Sequence, residues 1–158
     1  MLEIRQLTNA DWPAVEAIYA EGIATGNATF ETAPPDWREF DAGRLRGHRF
    51  VAVEDGRVVG WAALSPTSSR ACYAGVVEHS VYVSAASRGH GIGRALMETL
   101  LQSADGAGLW TVQTSIFPEN GASLALHLQL GFRVVGRRER IAQLDGAWRD
   151  TLLLDRRN

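Results

Sequence analysis

Cysteine is nearly absent from these 158 residues, with Cys72 the only one. One thiol can neither close an intramolecular disulfide nor build a cysteine-rich metal site, which fits a reducing cytoplasm. A basic excess is missing too: 16 Lys and Arg stand against 18 Asp and Glu, a net charge of -2. That balance argues against a nucleic-acid binder, although a small basic pocket can hide inside the sum. No apolar run approaches the ~18 residues of a membrane span. Met1-Leu2-Glu3-Ile4-Arg5 lacks the apolar stretch of a secretory signal, so none is expected. The histidines show no ligand spacing such as His-Glu-x-x-His, and no metal is expected. Repeats, low-complexity tracts and linkers are also missing, so a single domain over residues 1–158 is expected.

What is present is the patterning of an α/β domain, 46% hydrophobic and 22% charged. Leu2 to Leu7 alternates as a strand, and Thr8 with Asp11 resembles a capping box. Trp12, Val15, Ile18, Tyr19 and Ile23 then mark one face of a helix. After a loop ending at Pro34-Pro35, Trp37 to Leu45 predicts a short helix. Phe50–Val53, the Asp55-Gly56 turn and Val58–Leu64 read as a hairpin. Gly75–Val83 and Leu109–Phe117 read as strands, and Asn120–Leu130 as a helix stopped by Gly131. A further helix after Gly93 shows Leu96, Met97, Leu100 and Leu101 on one face. Two last strands, Phe132–Val135 and Trp148–Leu154, complete the order β-α-α-β-β-β-α-β-α-β-β. That order predicts a mixed sheet with packed helices, not a regular βαβ repeat.

The most informative segment is Val81-Tyr82-Val83, a spacer, and then Arg88-Gly89-His90-Gly91-Ile92-Gly93-Arg94. It runs strand, glycine loop, helix start. Alternate glycines permit positive φ and close approach of a ligand. Unpaired N–H groups at a helix start attract phosphate oxygens, and Arg88 and Arg94 add charge. The dinucleotide fingerprint has different spacing and comes earlier in its fold, and a P-loop would need Gly-Lys-Ser/Thr. A plain glycine turn is the competing reading of the loop alone.

These residues resemble the GNAT superfamily of acetyl-CoA-dependent acetyltransferases, whose Gln/Arg-x-x-Gly-x-Gly/Ala motif is met by Arg88-x-x-Gly91-x-Gly93. Four further segments look like its phosphinothricin acetyltransferase branch: Asn27–Thr32, Glu78–Val83, Asn120-x-x-Ser123-x-x-Leu126-His127 ending in Gly131-Phe132, and Gly146-x-Trp148-Arg149-Asp150. The resemblance implies a mixed, mostly antiparallel sheet splayed into a V, with helices on both faces and acetyl-CoA in the opening. It implies that Val81, Tyr82 and Val83 meet the pantetheine and that the loop from Arg88 to Arg94 holds the pyrophosphate. Asn120, with Ser123 nearby, would touch the pantetheine arm. It also implies a cytoplasmic homodimer that acetylates the α-amine of amino-acid-like acceptors, toxin or metabolite.

Acetyl transfer from a thioester requires a neutral amine, so a base must take a proton from the ammonium ion. Glu78, a carboxylate in an apolar strand, suits that role because burial raises its pKa; the competing reading is a glutamate paired with arginine. His127 matches the branch's histidine and is either a second proton acceptor, a group positioning the amine, or a core histidine. Tyr82 is an alternative acid for the thiolate. Adjacent strand residues face opposite sides, which rules out a triad from Glu78, His79 and Ser80. By the resemblance, Arg70, three residues before Tyr73, faces the acceptor's acidic end, and an arginine suits a carboxylate. Phe30, Glu31 and Thr32 would wall the pocket and Trp148 would close it. Ala74 stands where some relatives have arginine, so substrate choice does not transfer. Cys72 reads as an inert thiol. A peptide or protein N-terminal acetyltransferase and a non-catalytic acyl-CoA sensor are the other functions weighed.

Overall fold

The computed structural model describes residues 1–158. Its strands are β1 (Leu2–Gln6), β2 (Arg49–Glu54), β3 (Arg57–Pro66), β4 (Val76–Val83), β5 (Thr111–Ile116), β6 (Arg133–Leu144) and β7 (Ala147–Arg157). The helices are α1 (Trp12–Ala24), α2 (Trp37–Gly43), α3 (Ile92–Gly106) and α4 (Gly121–Gln129). All seven strands form one sheet in the order β1-β2-β3-β4-β5-β7-β6. Every pairing is antiparallel except β4 with β5. The element order expected from the sequence is the one observed.

Local chemistry explains the early elements. Asp11 closes the capping box by accepting from the Thr8 N–H (2.8 Å), and Arg5 holds both its oxygens at 2.8 Å. That arginine keeps the Asp11 carboxyl below the usual carboxylate range, and it ties β1 to the start of α1. The β2–β3 hairpin turns at Asp55-Gly56, with φ of 52° and 78°, the left-handed pair that a two-residue turn requires. Asp145-Gly146, with φ of 51° and 80°, does the same between β6 and β7.

Alternation puts opposite faces of the sheet against different helices. Ala52, Ala62, Leu64 and Val77 bury against Leu96, Met97 and Leu100 of α3. Val51, Trp61 and Ala63 bury against Val15, Ile18 and Tyr19 of α1 and Phe40 of α2. On this second face Tyr82 stacks on Trp61 (5.0 Å, 12° between planes) and packs on Tyr19 (4.8 Å). Gly22 lets α1 approach that stack, since a Cβ there would run into the Tyr82 ring. We expect Gly22→Ala to lose ~1–3 kcal/mol of stability, the usual cost of overpacking. The urea midpoint would report it, and an unchanged midpoint would mean that the Tyr82 ring moves aside freely.

β6 is much longer than the expected Phe132–Val135. Its residues 133–141 are all exposed, and its ladder is broken between Val134 and Gly136 and between Arg138 and Ala142. An edge strand with no buried face carries no alternating signature, which is why Arg137-Arg138-Glu139-Arg140 reads as loop in the sequence. The second helix ends at Gly43, before the expected Leu45.

Candidate active site

β4 and β5 pair only through Val76–Thr111, Val77–Val112 and Glu78–Gln113. Beyond Glu78 the strands part, and that parting is the V. A cleft of about 700 Å³ runs through the split, lined from β4 by Glu78 to Val83 and from β5 by Thr114, Ser115 and Ile116. The Ser84 N–H donates to Val59 O at 2.8 Å, so the even-numbered residues of β4 bond to β3. His79, Val81 and Val83 therefore turn their backbone N–H and C=O groups into the opening. An amide-bearing chain such as pantetheine can complete that ladder.

At the far end of β4 lies the glycine loop. Gly89 (φ 82°) and Gly91 (φ 78°) are left-handed, and Gly91 is the N-cap of α3 with no side chain to satisfy the first-turn N–H groups. First-turn N–H groups left open in this way are suited to receive a phosphate. Arg88 stands beside them in the cleft wall, its Nε 3.4 Å from Val83 O. This loop and the free edge of β4 together fit a pantetheine pyrophosphate. Of the loop residues expected to bind it, Arg88 and Gly93 line the cleft, while Gly89, His90, Gly91 and Ile92 form the turn outside it. The Ile92 side chain belongs to the core. Arg94 bonds Glu98 (2.8 Å) and Gln129 (3.2 Å) instead of facing the loop.

Glu78, Ser80 and Tyr82 share the α1 face of β4, whereas His79, Val81 and Val83 share the α3 face. Glu78 opens onto the cleft, yet enough protein surrounds it that lost hydration pushes its carboxyl above the usual range. Arg44 and Arg138 oppose that rise. His127 comes from α4 on the opposite face. Its Nδ1 lies 2.6 Å from the Ser123 carbonyl oxygen, which can only accept, so Nδ1 carries the proton. Its Nε2 is then an acceptor, and it faces His79 Nε2 at 2.9 Å, which must donate. His79 Nδ1 is left as a buried acceptor with no partner. The two rings stack at 5.0 Å and rest on Phe132. Burial pushes His79 down to about 3, with the charge of His127 adding, and burial lowers His127 as well. Both rings are neutral, and neither nitrogen of His127 is free to take a proton from an acceptor.

Loop 26–32 closes one wall, with Phe30 and Glu31 facing the cleft. It is pinned from across the sheet: Arg149 donates to Gly26 O and Asn27 Oδ1, each at 2.8 Å, and its guanidinium lies 4.1 Å over Phe117. Asn120 lines the cleft but also caps α4 through the Ser123 N–H (3.3 Å) and donates to Asn27 O (3.3 Å). Ser123 lines it too. Asp150 accepts from Arg137 and from the Arg140 N–H. The Trp148-Arg149-Asp150 segment is thus a brace for the site.

Four residues expected at the acceptor end lie elsewhere. Thr32 is exposed beyond the cleft lining. Arg70 is an exposed loop residue stacked 5.5 Å over Tyr73, also exposed, and neither reaches the cleft. Trp148 is 51% exposed, under Arg140 at 5.1 Å. Local sequence gave no route to Arg44, just past α2, the cation that does line the cleft here.

A split sheet with a free strand edge, leading to a glycine-capped helix start, fits the acyl-CoA-binding transferase architecture that the resemblance implies. The family model for the acetyltransferase (GNAT) family matches residues 2–132, and the chain belongs to that family. It is an acetyl-CoA-dependent N-acetyltransferase of the phosphinothricin acetyltransferase-like kind. A phosphinothricin N-acetyltransferase of Alcaligenes faecalis is 35% identical, over 97% of this chain and 81% of its own. An L-methionine sulfoximine/L-methionine sulfone acetyltransferase of Pseudomonas paraeruginosa is 33% identical, over 93% and 89%. The structure of a GNAT superfamily phosphinothricin acetyltransferase from Sinorhizobium meliloti in complex with acetyl-CoA superposes with a TM-score of 0.90. It is 32% identical, covering 99% of this chain and 88% of that one.

Proposed function

We propose that this enzyme acetylates the α-amine of small amino-acid-like acceptors of the phosphinothricin, methionine sulfoximine or methionine sulfone type. The observation that carries this reading is the position of Glu78. It is the last residue of β4 paired to β5, so its carboxylate stands at the vertex of the V, where the two halves of the cleft meet. Acetyl-CoA supplies the acetyl thioester. The first-turn N–H groups of α3 and Arg88 hold its pyrophosphate, and the backbone of Val81 and Val83 aligns the arm along β4. Glu78 removes a proton from the acceptor's ammonium group, and the neutral amine attacks the acetyl carbonyl directly. Phe30 and Glu31 wall the acceptor. His127, neutral and held by Ser123 and His79, serves as a fixed polar surface in the wall.

The same reading includes a cytoplasmic homodimer. A second copy would cover Val134, Val135, Ile141 and Trp148, which are apolar and about half exposed on β6 and β7.

Thiol release from acetyl-CoA tests the reading, with a panel of phosphinothricin, methionine sulfoximine, methionine sulfone, ordinary amino acids, polyamines and a short peptide. Turnover on one or more of the first three is expected. Turnover on the peptide alone would move the function to protein acetylation, and silence with acetyl-CoA still bound would make the protein a sensor.

A further inference from the structure

Arg44 is a cation in the cleft wall without an anion. Asp41, the nearest carboxylate in its own segment, bonds Arg49 at 2.6 Å and lies 3.8 Å from Arg46. Arg44 enters no ion pair; its guanidinium lies 4.9 Å over the Phe40 ring, and its Nε is buried without a hydrogen-bond partner. A partly desolvated guanidinium with open donors is costly unless an anion completes it. Its charge acts on Glu78 and Tyr82, and its guanidinium is also near enough to the Tyr19 hydroxyl to interact with it, so it stands on the Glu78 side of β4. Yet Arg44 and Glu78 do not pair. The other charges here are Glu31 in the cleft wall and Arg138 of β6, which also acts on Glu78.

Resting on the function proposed above, we infer that Arg44 is the anchor for the acceptor's α-carboxylate, with Glu78 receiving the adjacent ammonium. A zwitterionic amino acid presents both charges on neighbouring atoms, and this end of the cleft presents their complements. A guanidinium can take a carboxylate through two parallel N–H···O bonds. Arg44, not Arg70, then selects amino acids over simple amines.

Steady-state kinetics with two acceptors test this: the best amino acid of the panel and its carboxamide, which keeps the amine and loses the charge. The wild type should prefer the acid. For Arg44→Gln, kcat/KM on the acid should fall ~10- to 100-fold, mainly through KM. On the carboxamide it should stay within about threefold, because no charge-assisted bond is lost there. Arg44→Lys should recover part of the loss on the acid. Loss of the Arg44 charge also lets the Glu78 pKa rise, so both acceptors are compared on the alkaline plateau. Equal losses on acid and carboxamide would overturn the proposal and make Arg44 a support of the fold or of Glu78. A wild type indifferent to the carboxylate would overturn it while leaving the acetyltransferase reading intact. Silence on every small acceptor would remove both.

Discussion

Glu78→Gln should lower kcat by ~10²–10⁴-fold, the usual contribution of a positioned base, with acetyl-CoA affinity unchanged. The two effects separate because the proposed pyrophosphate cradle is at the start of α3, whereas Glu78 is at the vertex of the sheet. In the wild type, kcat/KM should fall on the acid side as the carboxylate takes up a proton. The limb should lie above the ordinary carboxylate range, because desolvation raises this pKa. The amide variant should lose that limb. Folding stability should move the other way. A carboxyl whose folded pKa is raised destabilises the folded state wherever it is ionised, so removing the charge at neutral pH is neutral or mildly stabilising. Turnover within tenfold of wild type, with the acid limb retained, would show that another group takes the proton.

The second large effect is acid sensitivity of the histidine pair. Folded, His79 and His127 are neutral; unfolded, each protonates near its ordinary 6.5. Below that pH the unfolded chain binds more protons than the folded one. The pair's contribution is therefore complete above about pH 6.5 and is lost as pH falls toward the folded pKa of His79, about 3. The loss is on the order of a few kcal/mol. Urea midpoints measured from pH 8 down to pH 4 should fall accordingly. His79→Phe keeps the aromatic volume but leaves His127 Nε2 as an unmatched buried acceptor. It should be less stable by ~1–3 kcal/mol at pH 8 and shallower in its fall below 6.5. Parallel curves for variant and wild type would place the acid sensitivity elsewhere.

Much of the fold is legible in the sequence because its signals are local. The Leu2–Leu7 alternation, the capping pair Thr8 and Asp11, the Asp55-Gly56 turn and the Gly131 stop each act within a few residues, and each has its expected role. The glycine loop is local as well, since positive φ at Gly89 and Gly91 and the start of α3 follow from consecutive residues. β6 is different. Most of its side chains face no core, so only pairing with β7 makes it a strand.

The site divides along the same line. Sequence alone marked the glycine loop as the candidate phosphate-binding end of the cleft and Glu78 as the carboxylate to watch, because alternate glycines and a charge in an apolar strand are visible in one dimension. Tertiary structure alone decided which side chains line the other end of the cleft. The contact of His79 with His127 joins residues 48 apart, and it leaves His127 without a free nitrogen. Arg149 reaches 122 residues back to hold the loop at Asn27. Arg44 lines the cleft without an ion pair, while Asp41 bonds Arg49. Charge partners are chosen by distance in space, and which of several arginines is left without one is settled only when the chain has folded.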